Sequence, residues 1–263
     1  MPENVRKTGN LRFAVLIDAD NVPRNSIKSI MEEVAIYGTP TIKRIYGDWT
    51  NPTVGGWKIA LLENAVTPVQ QYGYTTGKNS TDSAMIIDAM DILYSGRVDG
   101  FVLVSSDSDF TRLAIRLREA GMKVIGIGER KTPNPFIVAC DKFIYIEVIC
   151  TKNISEETED TTKKTFVEKR GVKPGVKQKG EQVPEDVVQL IADSVADLSE
   201  DDNSVFMGEL GNLLIKKQPA FDPRNFGFKS LSALIKSVER FAVEFRPSAD
   251  PNIKHPYVRD KEA

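Results

Sequence analysis

Two acidic clusters stand where apolar runs end. LIDADN places Asp18, Asp20 and Asn21 after LRFAVLID, and LVSSDSDF places Asp107 and Asp109 after FVLV. Aliphatic segments that empty directly into several carboxylates need an explanation, because crowded anions repel one another and resist desolvation. A divalent cation relieves both costs. Mg2+ and Mn2+ prefer oxygen ligands, typically one or two carboxylates with waters. A third stretch, KNSTDSAMIIDAM, puts Asp82 in the first turn of a helix, where the macrodipole favours an anion. The six-residue step to Asp88 turns a helix by about 240° beyond one full turn, so Asp82 and Asp88 face different directions. Plainer roles exist for each acid: helix-start anions at Asp82 and Asp109, and a capping or packing group at Asp88. They are weakest for Asp18 and Asp107, which end strands in apolar surroundings.

The rest of the composition narrows the chemistry. The 263 residues contain one histidine, His255, and two cysteines, Cys140 and Cys150. One histidine near the C-terminus leaves no room for a two-histidine acid/base ribonuclease or a histidine-rich zinc site. Two cysteines make neither a disulfide framework nor a four-thiolate zinc site. Any reaction must therefore run on carboxylates, a hydroxyl, a lysine or a hard metal ion. Hydrophobic residues at 41% and charged residues at 27% give a soluble profile. No apolar run approaches the ~18 residues of a membrane span. The first ten residues lack an apolar signal core, so the expected location is the cytoplasm.

Positioning these acids requires a sheet. Residues 11–150 alternate between strand and helix patterns. Strands are expected at LRFAVLID, TIKRIYGD, TPVQQYG, FVLVSS, KVIGIG and FIYIEV, and helices over 26–37, 55–65, 81–94, 110–120 and PFIVAC. Strict alternation predicts an α/β fold with an open, mostly parallel sheet flanked by helices. In such sheets the functional crevice lies at the carboxyl ends of the strands, where both acidic clusters fall.

Residues 151–180 break the pattern and read as a flexible basic linker. Within KKTFVEKRGVKPGVKQKG, Glu168 is the lone acid. A solvated tether is the plain reading, and contact with an RNA backbone the sharper one. Residues 181–263 begin a second domain. Helices are expected at PEDVVQLIADSVADL, SVFMGELGNLLIKKQ and KSLSALIKSV, followed by short strands FAVEF and PYVRD, a small winged-helix-like α+β pattern. Net charge is −2 overall, neutral over 1–150 and −5 over 181–263. A global basic signature for nucleic acid is absent.

LIDADN, the spacing within KNSTDSAMIID and SSDSDF together resemble the NYN domain in its LabA-like branch, a relative of PIN-domain nucleases. The resemblance covers residues 11–150. It implies a PIN-like fold and a ribonuclease dependent on Mg2+ or Mn2+. Asp18, Asp82 and Asp107 match the core catalytic and metal positions, Asp109 a further metal position, and Asn21 and Ser105 supporting ones. Ser105-Ser106-Asp107 replaces the Ser-Gly-Asp of many relatives. Residues 181–263, with FDPRNFGFKSLSALIKSV, resemble the LOTUS (OST-HTH) domain. That resemblance implies RNA binding, with G-rich or structured RNA preferred, or protein binding in some members. Lys229, Lys236 and Arg240 recur at helical spacing there as candidate RNA contacts, and Phe226 and Phe228 as core residues that could stack on bases.

The leading expectation is thus a metal-dependent, endonucleolytic ribonuclease with a C-terminal RNA-binding module. Lys78 is a candidate contact to a phosphate oxygen. A non-catalytic RNA-binding adaptor is the alternative. A third reading takes Asp18-Ala-Asp20 as the nucleophile motif of a haloacid-dehalogenase-type phosphatase, with the aspartyl phosphate on Asp18.

Overall fold

The computed structural model describes residues 10–50, 56–72, 80–150, 183–199, 204–247 and 254–263. Lys78 and the basic stretch 151–180 lie outside the described residues. The chain divides into two compact units, Met1–Glu157 and Thr158–Ala263.

The first unit is built on six strands: β1 (Arg12–Asp18), β2 (Thr39–Gly47), β3 (Thr67–Gln70), β4 (Gly100–Val104), β5 (Lys123–Gly128) and β6 (Lys142–Tyr145). All five pairings are parallel, in the order β3-β2-β1-β4-β5-β6. Helices α1 (Ile27–Tyr37), α2 (Trp57–Asn64), α3 (Ser80–Ser95), α4 (Thr111–Glu119) and α5 (Asn134–Ala139) connect them. The strand order reverses between β1 and β4, the topological switch point at which open α/β sheets hold their ligands.

Period-2 alternation assigns the strand residues to faces. Phe13, Val15, Ile17, Val102, Val104, Ile125 and Ile127 join Ile27, Ile30, Val34 and Trp57 in one buried cluster. The opposite face carries Leu16, Asp18, Leu103 and Ser105. Helix α3 packs there, because Asp88 binds Arg44 and the Tyr46 hydroxyl on β2, whose residues pair in register with Leu16 and Asp18. Asp88, expected to cap or pack, ties α3 to β2.

At the last strand the element itself differs from expectation. Only KFIY of the last strand is extended, and residues 146–150 are helical, here α6. Ile146 and Ile149, three residues apart, enter the buried cluster together. That helical spacing prevails over the β-branched composition of IEVI.

The second unit holds α7 (Glu185–Leu198), β7 (Ser204–Phe206), α8 (Met207–Lys217), α9 (Leu231–Ser237), β8 (Phe241–Pro247) and β9 (Lys254–Asp260). The three strands form an antiparallel sheet in the order β7-β9-β8. Ser204–Phe206, expected as the start of a helix, is the third strand, paired with Arg259, Val258 and Tyr257. Val187, Ile191, Val195, Val205, Leu210, Leu214, Leu234, Phe241 and Val258 form its core. Pro184 caps α7 with extended backbone rather than entering its first turn.

Candidate active site

Asp18 ends β1 and is 1% exposed. Its Oδ2 accepts hydrogen bonds from Asn21 Nδ2 at 2.7 Å and Ser105 Oγ at 2.9 Å, and its Oδ1 accepts from the Asp20 amide at 3.0 Å. Burial raises its pKa, and the three donors oppose that rise. A carboxylate offers about four acceptor positions. Among the described residues, the three donors use three of them.

Ser105 follows β4 and is fully buried. Its hydroxyl donates to Asp18 and accepts from the Asp107 amide at 3.0 Å. One oxygen thus ties the ends of the two switch-point strands and fixes the turn that carries Asp107. Asp107 Oδ1 in turn accepts from the Asp109 amide at 2.9 Å, capping the single helical turn Ser108–Phe110. Ser106 Oγ accepts from the Glu129 amide at 2.9 Å, linking the same turn to the end of β5.

Asp82 enters from the first turn of α3. The pins at Asp88 sit six residues further along, about 9 Å down the axis. Asp82, Asp107 and Asp109 offer carboxylate oxygens all within 4.8 Å of one another. Asp82 is pushed up to about 6, by burial first and then by Asp18, Asp107, Asp109 and Asp20. Four neighbouring acids therefore act on Asp82.

Among the expected residues, the structure converges Asp82, Asp107 and Asp109, with Asp18 beside them and bonded to Asn21 and Ser105. Ser106 was not expected to matter, yet it anchors the turn. The Ser-Ser-Asp sequence was its signal, since two hydroxyls at a strand end can each bond a loop. In the second unit Lys229 and Lys236 are exposed. Arg240 is committed to Asp260, at 2.8 Å, and to Glu262, at 3.3 Å. Phe226 and Phe228 pack against the core.

The NYN domain model matches residues 12–147, which carry the sheet and every acid of this cluster. The chain belongs to the NYN domain family. An OST-HTH/LOTUS domain follows at residues 180–253. NYN domains belong to a nuclease superfamily and OST-HTH/LOTUS domains to RNA-binding modules, so the pairing supports a nuclease or RNA-binding role. An uncharacterized protein of Methanocaldococcus jannaschii is 27% identical over 127 residues, which is 47% of this chain and 50% of that protein. The chain thus spans about half the length of that curated relative. A Vibrio parahaemolyticus protein of unknown function, solved by crystallography, is 20% identical with a TM-score of 0.47, covering 54% of this chain and 96% of its own. An uncharacterized Nitrosomonas europaea protein solved by NMR is 27% identical with a TM-score of 0.29, covering 36% of this chain and 92% of its own. Among the described residues no helix is long and apolar enough to cross a membrane.

Proposed function

We propose that this NYN protein is a metal-dependent endoribonuclease and that its second unit binds the RNA. The observation that carries the reading is the convergence of Asp82, Asp107 and Asp109 within 4.8 Å beside buried Asp18. The donor set is oxygen only and several-fold anionic, which suits Mg2+ or Mn2+ and no soft metal. The raised Asp82 supports the same reading, because its neighbours' repulsion is what a divalent cation would cancel.

Asp82, Asp107 and Asp109 would hold the ion, with buried Asp18 beside them. A bound ion supplies Lewis-acid polarisation of the phosphate and a more acidic water for in-line attack. The chain's own contribution is preorganisation. Ser105 and Asn21 fix Asp18, Ser105 and Ser106 fix the Asp107 turn, and Asp88 fixes the helix that carries Asp82. The phosphatase reading fares poorly, since a nucleophile at Asp18 would have to act while buried and held by three donors.

The deciding experiment incubates purified protein with labelled RNA in Mg2+, Mn2+ or EDTA, beside Asp107→Asn. Cleavage should require the metal and fall by ~10²-fold or more in the variant, the usual loss on deleting one electrostatic stabiliser. Undiminished cleavage by Asp107→Asn would remove this site from the reaction. Tight RNA binding with no cleavage in either metal would make the protein an adaptor.

A further inference from the structure

The sheet of the second unit has a core face and an outer face, and the outer face is unusual. Alternation sends Val205, Val243 and Val258 toward the core. Their neighbours Phe206, Glu244, Arg246, His255, Tyr257 and Arg259 therefore share the opposite face. Three rings meet there. Phe206 lies 5.5 Å from His255 and 5.9 Å from Tyr257, centroid to centroid. The Arg246 guanidinium sits 4.7 Å over the Tyr257 ring. Glu244 reaches both Arg246, at 3.7 Å, and Arg259, at 3.4 Å, and holds the two guanidiniums on one surface.

None of the three rings belongs to the core cluster. The strongly acidic helix α7 contributes Val187, Ile191 and Val195 to that core, so it packs on the other side of the sheet. Acids of α7 lie on one side, and on the other two arginines outnumber the single acid of the described strands. Rings interleaved with guanidiniums are the chemistry that stacks on bases while contacting phosphates.

We infer that this outer sheet face, rather than the α9 lysines, is the site at which the second unit stacks single-stranded RNA, with Phe206, His255 and Tyr257 as the base platform and Arg246 and Arg259 as phosphate contacts. The inference rests on the RNA-binding reading above.

His255 is the only histidine in the chain, so its imidazole protons report on this face alone. The full chain is titrated in EDTA, which prevents cleavage, with oligo(A) and oligo(U) of about ten nucleotides. Binding is followed by anisotropy and the His255 ring by NMR. Stacking should move the His255 resonances as the complex forms. Tyr257→Ser should weaken binding about tenfold, while Tyr257→Phe, which keeps the ring, should bind like the parent. Arg246→Ala with Arg259→Ala should weaken it and reduce the slope of log affinity against log salt by roughly 0.7 per arginine. RNA binding with His255 unmoved and the arginine variant unchanged would overturn the face while leaving RNA binding by the protein intact. No binding of either RNA would overturn both. A His255 shift that follows protein concentration without RNA would assign the face to a second copy of the chain and also overturn the proposal.

Discussion

At Asp82 the electrostatics of the site become a stability statement. Its folded-state pKa of about 6 exceeds the unfolded carboxylate range near 4, so its ionised form costs the folded state free energy. That cost is full above pH 6 and disappears as pH falls below about 4. Asp82→Asn should therefore stabilise the metal-free first unit at pH 8. The gain should be on the order of 1 kcal/mol, because the half-buried group is partly screened, and it should vanish at pH 4. Both tryptophans, Trp49 and Trp57, lie in this unit, so denaturation followed by tryptophan fluorescence in EDTA isolates it. Adding Mg2+ at pH 8 should stabilise the parent more than the variant. Equal destabilisation by Asp82→Asn at both pH values would contradict the repulsion on which the metal reading leans. The sequence made the convergence of Asp82, Asp107 and Asp109 legible, because strand ends and a helix start meet at one edge of a parallel sheet. It did not reveal that Asp18 is bonded to Ser105. That contact depends on which residues of two neighbouring strands share a face, and so on a register no single strand encodes.

Elements hold these residues through close backbone approach at the strand ends. A Cβ on Gly128, the last residue of β5, would lie 2.6 Å from the Ser105 carbonyl oxygen and 2.7 Å from Thr132 Oγ1. One on Gly100, the first residue of β4, would lie 2.5 Å from the Lys123 carbonyl and 2.6 Å from Phe13. Either alanine must shift backbone, at a cost of about 1–3 kcal/mol. The two sites differ in what they displace. Gly128→Ala pushes on the residue that binds Asp18 and the Asp107 turn, whereas Gly100→Ala strains the opposite end of the sheet. Both variants should lose stability to a similar extent in denaturant melts, and only Gly128→Ala should lose cleavage per folded molecule. Equal activity in the two would mean that the Ser105 turn tolerates displacement. The same scale explains which elements were readable. KVIGIG is the strand expected, Lys123–Gly128, because a β-branched apolar run this short, set off by Gly121 and Glu129, suits a buried strand by its length and flanks. SVF merged into the helix after it, since three residues carry no period of their own and only pairing with β9 makes them a strand.

Across the whole molecule, each unit buries its own apolar cluster, one around Val15, Ile17 and Val104 and one around Ile191, Leu234 and Val258. Two separate cores allow one to be damaged without the other. Ile191 is fully buried in the second core, so Ile191→Ala should cost that unit about 2–5 kcal/mol. Domains with their own cores fold as independent cooperative units. Tryptophan-detected unfolding of the first unit should therefore keep the parent's midpoint while far-UV circular dichroism shows an earlier loss of helix from the second. Cleavage of a short RNA at saturating concentration should survive at temperatures where only the second unit has melted. RNA affinity should fall at those temperatures, because a tethered module supplies effective concentration rather than chemistry. If Ile191→Ala instead shifts the tryptophan transition in step with the circular dichroism, the two units unfold as one, and the division of labour between hydrolysis and RNA capture does not hold.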